Sequence, residues 1–347
     1  MRPYPIVTRF MFTISKERSL IIRGVAILAM IWLHLFNRLE HLSLCQPLIG
    51  EGLQSFPYWL TAACNPVLLF VLLSGYGHYY KRHRLTWTGQ LRRVLRLYVV
   101  WWAVLVLFIV VAQGVEPGRY LGNGWEIASN ALAWHATFNA EAWFLFPYAL
   151  LSLTAKCWFA LLERYKARYV LGVALALSVF YVYPYDMIAA GDMACKRCLL
   201  QLLSFCRLVF AFLLGAWMCK HAGCGTRFTH LFAHLKQHGW LLWLLLLLAV
   251  VAQCLTRHRL SNFVYTPLVA ILLSHAPLAP VVQRVLTVLG RYSMPMWLVH
   301  TWFAYYLFKD YVYALRYPVL IFLALTLVSL ATSWLVMQAV RPLLRRL

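Results

Sequence analysis

What most constrains this chain is a recurrence of long apolar runs, each close to the roughly 20 residues a helix needs to cross the hydrocarbon core of a bilayer. They extend from Leu20 to Phe36, Tyr58 to Gly77, Leu97 to Gln113, Ala142 to Leu162, Val170 to Tyr185, Cys198 to Cys219, Trp240 to Leu255, Phe263 to Ala279, Tyr292 to Phe308 and Val319 to Val340. Charged or turn-rich breaks separate them. Backbone amides left unbonded in lipid are too costly to tolerate, so runs of this length fold as helices. Of the 347 residues, 63% are hydrophobic and 12% charged, with a mean hydropathy of +0.70, outside the balance of a soluble domain. The expected fold is all-α, a polytopic membrane protein of about ten transmembrane helices forming one transmembrane domain over residues 1–347.

The chain carries 32 Lys and Arg against 10 Asp and Glu, a formal charge of +22. In a soluble protein that excess would suggest nucleic acid. Here the cations fall between apolar runs on alternate loops, which is the positive-inside pattern, so membrane lipid and a phosphate-bearing partner are expected and nucleic acid is not. The N-terminus, the loop of Lys81, Arg82, Arg84, Arg92, Arg93 and Arg96, the loop of Arg164, Lys166 and Arg168, and the tail with Arg341, Arg345 and Arg346 then lie in the cytoplasm. Opposite loops hold Glu40, Glu51, Glu116, Glu126, Asp186, Asp192 and Asp310. Both termini are therefore expected to be cytoplasmic. The basic N-terminus leads into a full-length run with no small-residue cleavage site, so the first span is expected to remain as an anchor.

Several cysteines (Cys64, Cys157, Cys206, Cys254) sit inside apolar runs, where a free thiol packs as a small hydrophobe. Cys195 and Cys198 form a single CxxC, without the second pair that a structural zinc site needs. The stretch from Cys219 to His238, with His221, Cys224, His230 and His234, has ligand types at irregular spacing and reads as a solvated basic loop. No metal is expected. Internal repeats and glycine-interrupted pairs of short spans, the marks of many secondary transporters, are not evident.

Ionisable groups within spans are expensive and point to function. Arg23 and His34, both in the first span, lie roughly 16 Å apart along a helix, and eleven steps of about 100° bring them to nearly one face. From position alone, Arg23 also reads as a snorkelling interfacial cation and His34 as a packing histidine.

The run from Ile22-Arg23-Gly24 through Trp32-Leu33-His34 resembles the first span of the acyltransferase-3 family, with its arginine, ten residues, histidine signature. Phe70-Val71-Leu72-Leu73-Ser74-Gly75-Tyr76 is similar to that family's second-span end, and Arg93-Val94-Leu95-Arg96 to its RxxR at the start of the third. Trp143-Phe144-Leu145 and the stretch Tyr292 to His300 follow in the family's order, with Pro295 as a departure that could kink the late helix. The resemblance spans nearly the whole chain, in a minimal form lacking the extra C-terminal hydrolase-like domain of some members. It implies transfer of an acyl group, usually acetyl from acetyl-CoA as co-substrate, to a hydroxyl of an extracytoplasmic glycan or lipid-linked sugar, in a bacterial cytoplasmic membrane. It gives His34 as general base, with Arg23 as the second catalytic candidate of the same span, meeting the pantetheine arm or a phosphate. A sugar hydroxyl is a poor nucleophile at neutral pH, so a neutral imidazole suits it, whether by direct transfer or through an acyl-histidine. Arg93 and Arg96 become ligands for the phosphates of coenzyme A through forked bonds, near Ser74 and Tyr76. Glu141, Trp143 and His300 are candidates for orienting the imidazole or meeting the acceptor.

Two readings from other classes remain: a transporter or flippase of acylated or glycan substrates, and a glycan-assembly enzyme that works without coenzyme A.

Overall fold

The computed structural model describes residues 13–180, 184–190, 195–222 and 237–347. Every regular element among them is helical. The longer helices are α1 (Lys16–Phe36), α2 (Pro66–Tyr80), α3 (Trp87–Val115), α4 (Leu145–Leu153), α5 (Ala155–Arg164), α6 (Ala167–Phe180), α7 (Lys196–Lys220), α8 (Gly239–Thr256), α9 (Asn262–His275), α10 (Pro280–Thr301) and α11 (Pro318–Arg346). Among the described residues six helical stretches are long and apolar enough to cross a membrane, or seven if the bent pair Ala140–Leu153 and Ala155–Arg164 is one span. The chain is an all-helical, multi-pass membrane protein.

Each expected apolar run falls on helix over most of its length, although the run from Tyr58 to Gly77 is interrupted over 62–65, between Phe56–Thr61 and α2, and four others differ as well. The run from Ala142 to Leu162 is bent by 54° between α4 and α5. Thr154 stands at the break, and its hydroxyl donates to Leu150 O at 2.8 Å, a back-bond that competes with the helix and bends it. The runs beginning at Val170 and Phe263 are helices of 14 residues each, too short to span unaided. The late helix α10 starts at Pro280, not Tyr292, because its first half is amphipathic, with Gln283, Arg284 and Arg291, and a hydropathy window passes over it. It continues through Pro295 to Thr301.

Local chemistry explains the helix starts. Ser15 caps α1 by accepting from Arg18 N, Thr86 caps α3 by accepting from Gly89 N, and α2, α10 and α11 each open on proline, whose missing N–H costs nothing there.

At the centre lies α1, with Ile21, Ile22, Ala26, Ile27, Ile31, Leu35 and Phe36 fully buried. It packs on α10, α2, α9 and α11. Lipid tails are as apolar as leucine, so association in a bilayer relies on close packing at small residues. Two helix pairs show this. A Cβ on Gly24 would lie 2.2 Å from Leu286 O and one on Gly290 would lie 1.9 Å from Leu20 O, so α1 and α10 touch backbone to backbone. Gly75 against Phe212 O (1.9 Å) and Gly215 against Leu72 O (2.0 Å) join α2 to α7 in the same way.

The end of the bundle that holds the N-terminus of α1 is basic. There Glu163, at the end of α5, accepts from Tyr79 Oη and from Lys220 Nζ at 2.8 Å, while Arg82 lies over the Tyr79 ring. This network fastens the ends of α2, α5 and α7 together.

Candidate active site

Because α1 is an unbroken helix, its sequence spacing becomes real separation: Arg23 lies towards the basic end and His34 in the last turn at the opposite end. Polar groups from several other elements gather around each.

At the far end, His34 is 8% exposed, with its ring 5.1 Å from that of His300, which is fully enclosed. Nδ1 of His300 donates to the Met296 and Trp297 carbonyls (3.1 and 2.9 Å), which leaves Nε2 as its lone-pair nitrogen, enclosed and with no protein partner among the described residues. Glu141 enters on the short turn Ala140–Phe144, which Asn139 caps by accepting from Glu141 N. That turn is held against α10, since Thr301 donates to Asn139 Oδ1 at 3.0 Å and the Trp297 indole donates to Glu141 O at 3.3 Å. Oε1 of Glu141 lies 3.7 Å from His34 Nδ1 and 3.4 Å from Arg38 Nη2. The imidazole's hydrogen bond goes instead to Tyr305 Oη, at 3.1 Å. Beside Tyr305, His41 stacks at 4.8 Å between ring centroids; burial foremost, and then Lys309, hold its imidazole down to about 4. It is therefore uncharged at neutral pH and stacks as a neutral ring.

Towards the basic end, Arg23, Ser74, Tyr76, His78, Lys16, Lys81 and Arg93 line a cavity of about 1030 Å³. Arg93 Nη1 donates to His78 Nε2 at 2.7 Å. The same nitrogen meets Ser152 Oγ at 3.0 Å, while His78 Nδ1 donates to Ser74 O at 2.8 Å. Ser74 Oγ pairs with Tyr148 Oη at 2.9 Å. An imidazole thus fixes the guanidinium at the cavity wall. Tyr76 has a different task, accepting from Ile14 N at 3.0 Å and so pinning the segment that leads into α1. Arg96 turns away from this cavity; with Arg92, Arg93, Met294 and Met337 it lines a neighbouring one of about 500 Å³. Arg93 borders both.

A narrow chamber of about 140 Å³ continues from the basic cavity, sharing Arg23, Ser74 and Tyr148 with it and walled further in by Met30, Phe70, Phe144, Met294 and Trp297. Met30 is one turn before His34, and Trp297 one turn before His300. The lining of the chamber thus comes within one helical turn of each imidazole and includes neither ring.

Of the residues singled out from sequence, Arg23, Ser74, Tyr76 and Arg93 meet at the basic cavity, and His34, Glu141 and His300 meet at the far end. Trp143 joins neither group and packs under the Arg207 guanidinium, 5.3 Å from its ring centroid. Sequence reasoning missed His78, Tyr148, Arg38 and Tyr305. His78 carried a signal, an ionisable side chain immediately after the apolar run that ends at Gly77. Among the described residues no three His, Cys, Asp or Glu side chains converge as metal ligands, and Cys224, His230 and His234 lie outside those residues.

The profile of a protein family described as "Acyltransferase domain" matches residues 21–338, nearly the whole chain. No curated protein and no solved structure gives a significant match.

Proposed function

The chain belongs to the acyltransferase-3 family, and on that premise we propose that it moves an acyl group, acetyl above all, from acetyl-CoA on the cytoplasmic side to a hydroxyl of an extracytoplasmic glycan or lipid-linked sugar. One observation carries this reading: a large basic cavity and a buried pair of imidazoles stand towards opposite ends of α1, and a narrow chamber runs from the cavity to Met30 and Trp297, one helical turn from His34 and His300. A donor that is polyanionic at one end and a thioester at the other fits such a passage.

Arg93, with Arg23 and Lys16 facing the same cavity, takes phosphate oxygens of coenzyme A, and Arg96 adds charge from the adjoining cavity. The thiol-bearing arm lies in the chamber and delivers its thioester beneath His34 and His300. His34 accepts the proton of the sugar hydroxyl as its oxygen attacks the thioester carbonyl. The tetrahedral adduct collapses, the carbon–sulfur bond breaks, and the thiolate takes the proton back from the imidazolium. The products are an O-acyl sugar and free coenzyme A. In a route through an acyl-histidine the same nitrogen first attacks the thioester and expels the coenzyme A thiolate; the sugar hydroxyl then attacks the acyl-imidazole, the carbon–nitrogen bond breaks, and the hydroxyl proton passes to the released nitrogen and on to the thiolate. Glu141, held by Arg38, and the free Nε2 of His300 face the place where the acceptor hydroxyl enters. In this reading the basic end and both termini are cytoplasmic, α6, α9 and α10 bring the crossings to about ten, and the protein resides in a bacterial cytoplasmic membrane.

The test is transfer of radiolabelled acetyl from acetyl-CoA to an envelope glycan extract by the purified chain in liposomes. Label appearing on glycan supports the reading. Absence of both transfer and coenzyme A binding would return the chain to the transport class. In the same assay Arg93→Ala should raise the KM for acetyl-CoA about tenfold, the size of one charge-assisted hydrogen bond, and leave the acceptor KM unchanged. An unchanged KM for acetyl-CoA removes Arg93 from the donor site.

A further inference from the structure

An imidazole has two nitrogens, and as a neutral base it works only through the one that lacks the proton. Which nitrogen of His34 that is depends on what surrounds Nδ1.

The last carbonyls of a helix have no intrahelical partner. At the end of α1, Leu33 O accepts from Asn37 N (3.0 Å), Leu35 O accepts from Tyr313 Oη (2.9 Å), and His34 O accepts from Tyr305 Oη. A phenol has a single proton. With that proton on the His34 carbonyl, the Tyr305 oxygen presents only lone pairs to His34 Nδ1, 3.1 Å away, so Nδ1 must be the N–H. Tyr305 thus grips His34 twice, by backbone and by ring. Glu141 does not compete for this proton, because at 3.7 Å it is beyond hydrogen-bond range.

The tyrosine is delivered there by an irregularity. Immediately after α10 the chain makes a wide π-turn over Trp302–Tyr306, closed by Leu307 N donating to Trp302 O at 2.9 Å. Such turns are rare in helices and frequent at functional sites. The next residue, Tyr306, accepts from Ala140 N at 2.9 Å, on the turn that carries Glu141. Two consecutive tyrosines on one turn therefore hold the His34 end of α1 and the Glu141 turn in register, and the Arg38 guanidinium lies over the Tyr305 ring at 4.8 Å.

We propose that Tyr305 is a positioning residue, whose hydroxyl holds the Nδ1 proton of His34 and so commits Nε2 to receive the proton of the acceptor hydroxyl. The proposal rests on His34 acting as base in acyl transfer. Tyr313 provides a matched control, since it caps the adjacent carbonyl of the same helix and makes no bond to the imidazole.

The experiment is steady-state acetyl transfer from acetyl-CoA to the glycan extract by wild type, Tyr305→Phe and Tyr313→Phe in liposomes, with thermal midpoints measured alongside. Tyr305→Phe should lower kcat about 10- to 100-fold, as loss of an orienting partner does elsewhere, with the KM for acetyl-CoA unchanged. Tyr313→Phe should lower the midpoint to a similar degree and keep the wild-type kcat. Full kcat in Tyr305→Phe, or equal losses of kcat in both variants, overturns the positioning role while leaving the transferase reading in place. An inactive wild type brings down that reading, and this proposal with it.

Discussion

His34→Gln protein is expected to insert, fold and bind acetyl-CoA, and to lose about 100- to 10,000-fold in transfer rate, the usual contribution of a positioned general base. Glutamine is the informative replacement. Its amide N–H₂ can still donate to Tyr305 and it fills much of the imidazole's volume, but it has no basic nitrogen. His34→Ala removes the same base and also leaves a hole against His300 and Tyr305, so its rate loss is mixed with a stability cost. If the two variants lose rate equally and only alanine lowers the melting midpoint, base chemistry and packing are separated. The base assignment would not survive a His34→Gln enzyme with near wild-type kcat. The basic cavity lies at the other end of α1, so coenzyme A binding should be unaffected by either change.

Reading Arg23 and His34 as one face of one span needed only helical geometry, and α1 preserves that geometry because it is unbroken from Lys16 to Phe36. Arg93 was legible for a similar reason, as an arginine at a span end within a basic loop. Its anchor was not. His78 lies 15 residues before Arg93 and pairs with Ser152, 74 residues further along, and no spacing in the sequence brings those three together. Tyr305 was hidden more deeply, since aromatics abound at span ends and its aim depends on a π-turn that leaves no trace in the hydropathy pattern. Thr154 likewise reads as one polar residue in an apolar run, and only its back-bond to Leu150 shows why the fourth run bends. Glu141 could be read as an orienter of the imidazole. Its distance from Nδ1 and its pairing with Arg38 place it beside the imidazole rather than on it. Periodicity reports which side chains share a face of one helix, and it carries little about contacts between helices far apart in the chain.

Gly290→Val is the change expected to cost the fold most. The new Cβ would lie 1.9 Å from Leu20 O and 3.1 Å from Gly24 N, both backbone atoms of α1, so no side-chain rotation can relieve it and α10 must move off α1. Overpacking of this kind costs about 3 kcal/mol, and the melting midpoint in detergent should fall by roughly 5 °C or more. Gly114→Ala is the control, because nothing lies within 4 Å of its Cβ, and replacing a helical glycine there should hold or slightly raise the midpoint. The effect should reach activity as well. α1 carries His34 and Met30 and α10 carries His300 and Trp297, so forcing these helices apart separates the imidazole pair and widens the chamber that Met30 and Trp297 line. A Gly290→Val protein with the wild-type midpoint would mean that α1 and α10 do not touch backbone to backbone. One with a lowered midpoint but full kcat would mean that the spacing of His34 and His300 is not what limits transfer.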